Sequence, residues 1–163
     1  LLQPEGHIVR EVVLPDDTYR IETWRDEYLD DWVEVKNAVF ESASEPSLFL
    51  EQFRNRHDFD PEGWMFLRHG ERFIGITGAM VCRETDGRLR GGVIEWVGVR
   101  PEYRGKKLGE ALVIAGLNYF VQRDIAPVTL ITQPFRKPAV ALYEKLGFIT
   151  AAAIPRLHKE LDA

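Results

Sequence analysis

The stretch Val97-Gly-Val-Arg-Pro-Glu-Tyr-Arg-Gly-Lys-Lys-Leu-Gly-Glu-Ala-Leu-Val-Ile-Ala-Gly-Leu117 decides how this chain is read. An apolar strand ending at Val99 enters a basic, glycine-bearing turn, and the turn opens directly into an apolar helix. The first turn of a helix carries unpaired backbone N–H groups and the positive end of the helix dipole, so this order of elements builds an anion site. Gly105 and Gly109 allow a phosphate close to the backbone, and Arg104, Lys106 and Lys107 add positive charge around it. The implied ligand is a phosphorylated cofactor held where strand meets helix.

Outward from that turn the hydrophobic period alternates between two and 3.6. Toward the N-terminus, Val93–Val99 reads as a Val/Ile/Trp-rich strand, preceded by a polar loop over 84–92. Residues 63–68 and 73–82 read as strands joined by the hairpin turn His69-Gly-Glu-Arg72. Helices are expected from Asp26 through Phe40 and from a Ser47 cap to about His57. Two short strands, 8–13 and 19–23, open the order. Toward the C-terminus, 108–123 is a largely buried helix, 128–132 a short strand bracketed by Pro127 and Pro134, and Pro138 opens a helix that Gly147 ends. A closing hairpin is expected over 148–154 and 156–161. Sequential hairpins require antiparallel pairing, whereas the strand–helix–strand step over 93–132 permits a parallel crossover. The expected fold is α/β: a mixed, mostly antiparallel sheet flanked by helices.

Composition bounds the function. The 163 residues suit one domain, 1–163, with a sizeable core, and 45% hydrophobic with 29% charged residues describes an ordinary globular protein. The net charge of −5 argues against nucleic acid as a general partner, so the local basic cluster favours a small polyanion. The lone cysteine, Cys82, excludes an internal disulfide framework and suits a reducing cytoplasm. No apolar run reaches the roughly 20 residues of a membrane helix, and Leu1-Leu-Gln-Pro-Glu-Gly6 does not read as a signal peptide. The histidines at 7, 57, 69 and 158 sit in no ligand spacing, so no metal site is expected. Trp24, Trp32, Trp64 and Trp96 read as packing residues.

Two segments carry a resemblance. Val99-Arg-Pro-Glu-Tyr-Arg-Gly-Lys-Lys-Leu-Gly-Glu-Ala-Leu112 is similar to the acetyl-CoA segment of GNAT-family N-acetyltransferases, whose core is Arg/Gln-x-x-Gly-x-Gly/Ala. Arg104 and Gly109 match its ends, and Lys107 stands where the middle glycine is usual. Ala139-Val-Ala-Leu-Tyr-Glu-Lys-Leu-Gly-Phe148 resembles the family's later helix, with Arg136 in place of the asparagine that often opens it. The order of elements matches over nearly the whole chain. A narrower resemblance to the C-terminal half of mycothiol synthases lies in Tyr19-Arg-Ile-Glu-Thr-Trp-Arg25, Val35-Lys-Asn-Ala-Val-Phe40 and Phe59-Asp-Pro-Glu-Gly-Trp64.

The resemblance implies acetyl-CoA as co-substrate and transfer of its acetyl group to the amine of a small molecule, directly in a ternary complex. It also implies a cofactor cleft where the family's fourth and fifth strands, here 93–99 and 128–132, splay apart. Backbone groups of Val97, Gly98 and Val99 would meet the pantetheine arm. Arg104, Gly105, Lys106, Lys107, Leu108, Gly109, Glu110 and Arg136 would hold the phosphates. Tyr143 falls on the family's tyrosine and is the candidate general acid for the departing thiolate, the alternative being a core tyrosine on the face Ala139–Leu142–Leu146. Glu95 is the candidate base. By strand alternation it shares a face with Val97 and Val99, and burial among apolar neighbours would raise its pKa. The alternative is a sheet carboxylate paired with Arg83 or Arg90. The loop with Glu41, Ser42, Ser44 and Glu45 would wall the substrate site, with Glu41, Ser44 and Glu45 facing a cationic amine. Non-catalytic acyl-CoA sensing and acetylation of a protein N-terminus or lysine are the competing functions, and a homodimer is compatible with either.

Overall fold

In the computed structural model, residues 2–3, 8–133 and 135–149 are described. Strands β1 (Leu2–Gln3) and β2 (Tyr19–Thr23) precede a 3-10 turn at Asp26–Tyr28 and helix α1 (Leu29–Phe40). The short α2 (Pro46–Phe49) runs into a π-helical turn at Leu50–Arg54. Strands β3 (Trp64–His69), β4 (Arg72–Arg83) and β5 (Leu89–Val99) follow, then α3 (Leu108–Val121), β6 (Val128–Leu130) and α4 (Lys137–Lys145).

The sheet is six-stranded in the order β1-β6-β5-β4-β3-β2. Each described pairing is antiparallel except β5 with β6, which are parallel over Gly92–Ile94 and joined through α3. Gly70, at φ 57°, turns the β3–β4 hairpin in the backbone region that favours glycine. Helix α3 is apolar on most sides because it lies over the sheet and beneath α4. Val113, Leu117 and Phe120 pack with Ile94, Leu130, Tyr143 and Phe148, and Leu108 and Leu112 pack with Ile74 and Val99. The opposite face carries an aromatic layer in which Trp32 and Val35 of α1 and Phe49 and Phe53 meet Trp64, Phe66 and Ile76.

Two expectations for the chain's first half fail. The 8–13 segment forms no strand. Its backbone is satisfied by a side chain instead: the Arg10 N–H donates to Asn118 Oδ1 at 2.8 Å, and Asn118 Nδ2 donates to the Arg10 carbonyl at 2.7 Å. Ser47 caps nothing, because Pro46 already occupies the first helical position, with Glu45 as N-cap. In the middle of the chain, β5 begins at Leu89 rather than Val93, because Leu89–Gly92 pair with β4 and shorten the polar loop. The closing hairpin and Pro134 lie outside the described residues, save for a bridge at Ile149.

One irregularity matters for the site. Gly78 faces Glu95 and Ile76 faces Gly98, so β5 spends one extra residue there. This β-bulge places Trp96 in the left-handed region, at φ 56°. That conformation costs an L-residue roughly 1–2 kcal/mol, and the indole packs edge-on against Trp32 and Phe40 in the aromatic layer. The bulge reverses the alternation beyond it. Glu95 falls with Gly98 on the α1 side of the sheet, while Val97 and Val99 pack toward α3. The expected shared face of Glu95, Val97 and Val99 is therefore overturned.

Candidate active site

Beyond Ile94, β5 loses its neighbour, because β6 ends at Leu130. The two strands part there, and the opened edge from Glu95 to Val99 lies between two cavities. One, of about 690 Å³, is lined by Val97, Gly98 and Val99, by Arg104, Gly105, Lys107, Leu108, Gly109 and Glu110, and by Arg136 and Tyr143. The structure thus gathers ten of the eleven expected cofactor residues around one space. Lys106 is the exception: its ammonium lies 3.5 Å from the Tyr19 hydroxyl and 5.5 Å from the Tyr103 ring centroid.

The turn is built to receive an anion. Lys107 is the N-cap of α3, held in the left-handed region at φ 59°, and no side chain caps the helix. The first-turn N–H groups therefore remain available to a ligand. A Cβ added at Gly105 would meet nothing within 4 Å, and one at Gly109 only Leu142 at 4.0 Å, so the space beside both is open. Among the described residues no carboxylate pairs with Arg104, Lys107 or Arg136. The Arg104 Nε–H donates to the Val99 carbonyl at 3.3 Å, and the Arg136 guanidinium lies 5.4 Å from the Phe40 ring centroid. Glu110, the anion among them, is already neutralised by Lys145 of α4 at 3.0 Å. Uncapped N–H groups, cations with no carboxylate partner among the described residues and an open glycine cradle suit a pyrophosphate.

The second cavity, of about 440 Å³, lies on the other side of the same wall and is lined by Gln52, Phe53, Glu95, Trp96, Thr132 and Gln133 among others. Phe40, Val97, Arg136, Ala139 and Tyr143 line both cavities. Tyr143 stands at that junction with 5% of its surface exposed. Burial raises its phenol above the ordinary tyrosine value, and the nearby Arg136 charge offsets this only in part. No described residue hydrogen-bonds its hydroxyl. Glu95 is half-buried on the opened edge.

The expected substrate loop is not assembled as a wall. Glu41 borders the larger of the two cavities, in the left-handed conformation that ends α1, at φ 49°. Ser44 turns inward, its hydroxyl bonded to the Lys36 ammonium and its N–H donating to Asn37 Oδ1. Glu45 is exposed at the start of α2, and neither residue borders either cavity. The second cavity is instead bordered by Phe53 and Gln52 on the π-helical turn and by Trp96 at the bulge. No period in the sequence marks either irregularity. Phe40 was legible only as the apolar end of α1.

Residues 21–148 match the family model for the acetyltransferase (GNAT) family. The chain is 33% identical over 147 residues to a mycothiol acetyltransferase of Catenulispora acidiphila and 32% identical over 152 residues to one of Acidothermus cellulolyticus. These alignments take in 85% and 84% of the chain but 46% of each relative, so the chain spans about half the length of those proteins. Among solved structures, a GCN5-related N-acetyltransferase from Sphaerobacter thermophilus superposes with a TM-score of 0.73 at 21% identity, over 90% of this chain and 45% of that one. Arabidopsis thaliana Naa50, in complex with a bisubstrate analogue, superposes with a TM-score of 0.68 at 18% identity, over 85% and 93%.

Proposed function

This chain belongs to the acetyltransferase (GNAT) family, and from that premise we propose that residues 1–163 form one domain that moves the acetyl group of acetyl-CoA to the amine of a small molecule. The observation that carries the proposal is the pair of cavities meeting at a wall that contains Val97 and Tyr143. The cavity with the basic turn would take the cofactor, its pyrophosphate on the N-terminus of α3 and its pantetheine arm along the open edge Val97–Val99. Arg104, Lys107 and Arg136 would supply charge to the phosphates. Bound acetyl-CoA supplies an activated acyl thioester. The cavity with Glu95 would hold the acceptor.

On this reading the chemistry needs three things from the chain. An acceptor ammonium must lose a proton, and the Glu95 carboxylate, directly or through water, would take it. The neutral amine then attacks the thioester carbonyl, forming a C–N bond, and the backbone of the β5 bulge polarises that carbonyl. When the C–S bond breaks, the thiolate takes the Tyr143 phenolic proton, and the new amide nitrogen, which still carries the extra proton it brought into the attack, gives that proton to the Tyr143 phenolate. A raised phenol pKa keeps that proton in place at neutral pH. The mutual position of cofactor and amine across one wall requires no covalent enzyme intermediate.

Mixing the protein with acetyl-CoA and a panel of primary amines, with free thiol as the readout, tests the proposal. Acceptor-dependent thiol release is expected. Tight acetyl-CoA binding with no release on any amine would establish the sensing function instead, and release only with peptides would move the acceptor class to proteins.

A further inference from the structure

Lys36 is a charged side chain that the chemistry above leaves unused. It lies on α1 with 5% of its surface exposed. Its ammonium donates to the Ser42 hydroxyl at 3.1 Å and to the Ser44 hydroxyl, and it sits 5.4 Å from the centroid of the Trp96 ring. Among the described residues it has no carboxylate partner. Two hydroxyl oxygens and one aromatic face account for its three donors. The hydroxyls are themselves fixed: Asn37 Oδ1 accepts from the Ser42 hydroxyl at 2.9 Å, and Asn37 Nδ2 donates to the Ser44 carbonyl at 3.0 Å.

Trp96, beneath that ammonium, needs such a hold. It is the extra residue of the β5 bulge and keeps a left-handed backbone with a bulky side chain. Its indole N–H is buried with no hydrogen-bond partner, so no hydrogen bond fixes the ring. Contacts to faces and edges do so, from Trp32, Phe40 and Phe53 and from the Lys36 cation. Strain of this kind persists only where the surroundings over-determine it.

We propose that Lys36 is a positioning residue: seated on the Trp96 ring and tethered by Ser42 and Ser44, its ammonium holds the β5 bulge in the conformation that presents the Trp96–Val97 backbone to the acetyl group of acetyl-CoA. The inference rests on the acetyl-CoA reading above. Lys36 touches neither cofactor nor acceptor on this account and acts only through Trp96. It differs from a stabilising core residue in one measurable respect: it sets how well the protein distinguishes acetyl-CoA from CoA, two ligands that differ only at the bulge.

Calorimetric titration of each ligand into wild type and Lys36→Met decides the matter, methionine keeping the apolar stem without the charge. Wild type is expected to bind acetyl-CoA about fivefold tighter than CoA, the worth of one hydrogen bond to the carbonyl. Lys36→Met should hold CoA within about twofold of wild type and lose the preference, and hydrogen exchange at the Trp96 and Val97 amides should accelerate. Ser42→Ala/Ser44→Ala, which removes the tethers, should move the preference in the same direction, and it decides the question if the methionine variant does not fold. A preference retained in the folded variants overturns the proposal, as does a wild type that binds both ligands equally. A wild type that binds neither refutes the acetyl-CoA reading itself.

Discussion

Lys107 shows how a single residue can break a motif and explain it. The family's usual glycine at this position corresponds to a backbone in the left-handed region, and Lys107 adopts it at φ 59°. Lys107→Gly is therefore expected to stabilise the fold, by somewhat less than the roughly 1–2 kcal/mol of the left-handed penalty because glycine loses more entropy on folding. Urea denaturation reads that gain. Tyr143 carries a sharper prediction. Tyr143→Phe should lower kcat by roughly 10²–10⁴ with little change in acetyl-CoA affinity. Because burial raises the phenol, the alkaline fall in the wild-type rate should lie above the usual tyrosine value of about 10. That limb should vanish in the variant, as pH–rate profiles of the residual activity would show.

Among the elements, β5 is under the tightest constraint. A Cβ at Gly98 would lie 2.3 Å from Val39 Cγ1, so the strand and α1 touch there without room for a methyl group. Gly98→Ala should cost about 1–3 kcal/mol by overpacking, and Val39→Ala in the same chain should restore part of it, as a double-mutant cycle of unfolding energies would show. The β2–β3 pair is held differently, by charge. Burial alone would raise the Glu22 carboxyl, but hydrogen bonds from Arg20, Tyr28 and Arg68 outweigh it and bring it down to about 2. A carboxyl depressed in the folded state stabilises above its unfolded value, 4.5, and that contribution is lost as pH falls from there to about 2. Acid unfolding of Glu22→Gln should therefore be shallower than that of wild type over this window.

At the scale of the whole molecule, the net charge is −5, yet the cavity beside the N-terminus of α3 gathers Arg104, Lys107 and Arg136, which among the described residues have no carboxylate partner. Acetyl-CoA affinity should accordingly fall as salt rises, despite the protein's acidity, and Lys107→Gln should flatten that dependence. Most of this architecture was legible from the sequence. Period and hairpin turns placed the middle strands, and the step from Val99 into Leu108 located the turn that leads from β5 into α3. What escaped was whatever departs from a period. The bulge at Trp96 has no local signal, because tryptophan is not a residue that asks for a left-handed backbone, so alternation put Glu95 on the wrong face. The N-terminal segment looked like a strand, but Asn118, distant in sequence, takes its hydrogen bonds. Ser44 has the look of a surface residue until Lys36 and Asn37 are seen to claim it.

The aromatic layer has an optical consequence. All four tryptophans, Trp24, Trp32, Trp64 and Trp96, belong to or pack against the cluster on the α1 face, and none against the α3 face. Tryptophan emission, excited where tyrosine does not absorb, therefore watches only half of the molecule. Melting of α3 and α4 would pass unseen in a fluorometer while amide circular dichroism recorded it, so a gap between the two melting curves would measure how independently the layers come apart. Trp96 borders the opening between the parted strands, which makes it a built-in dye for anything that enters there.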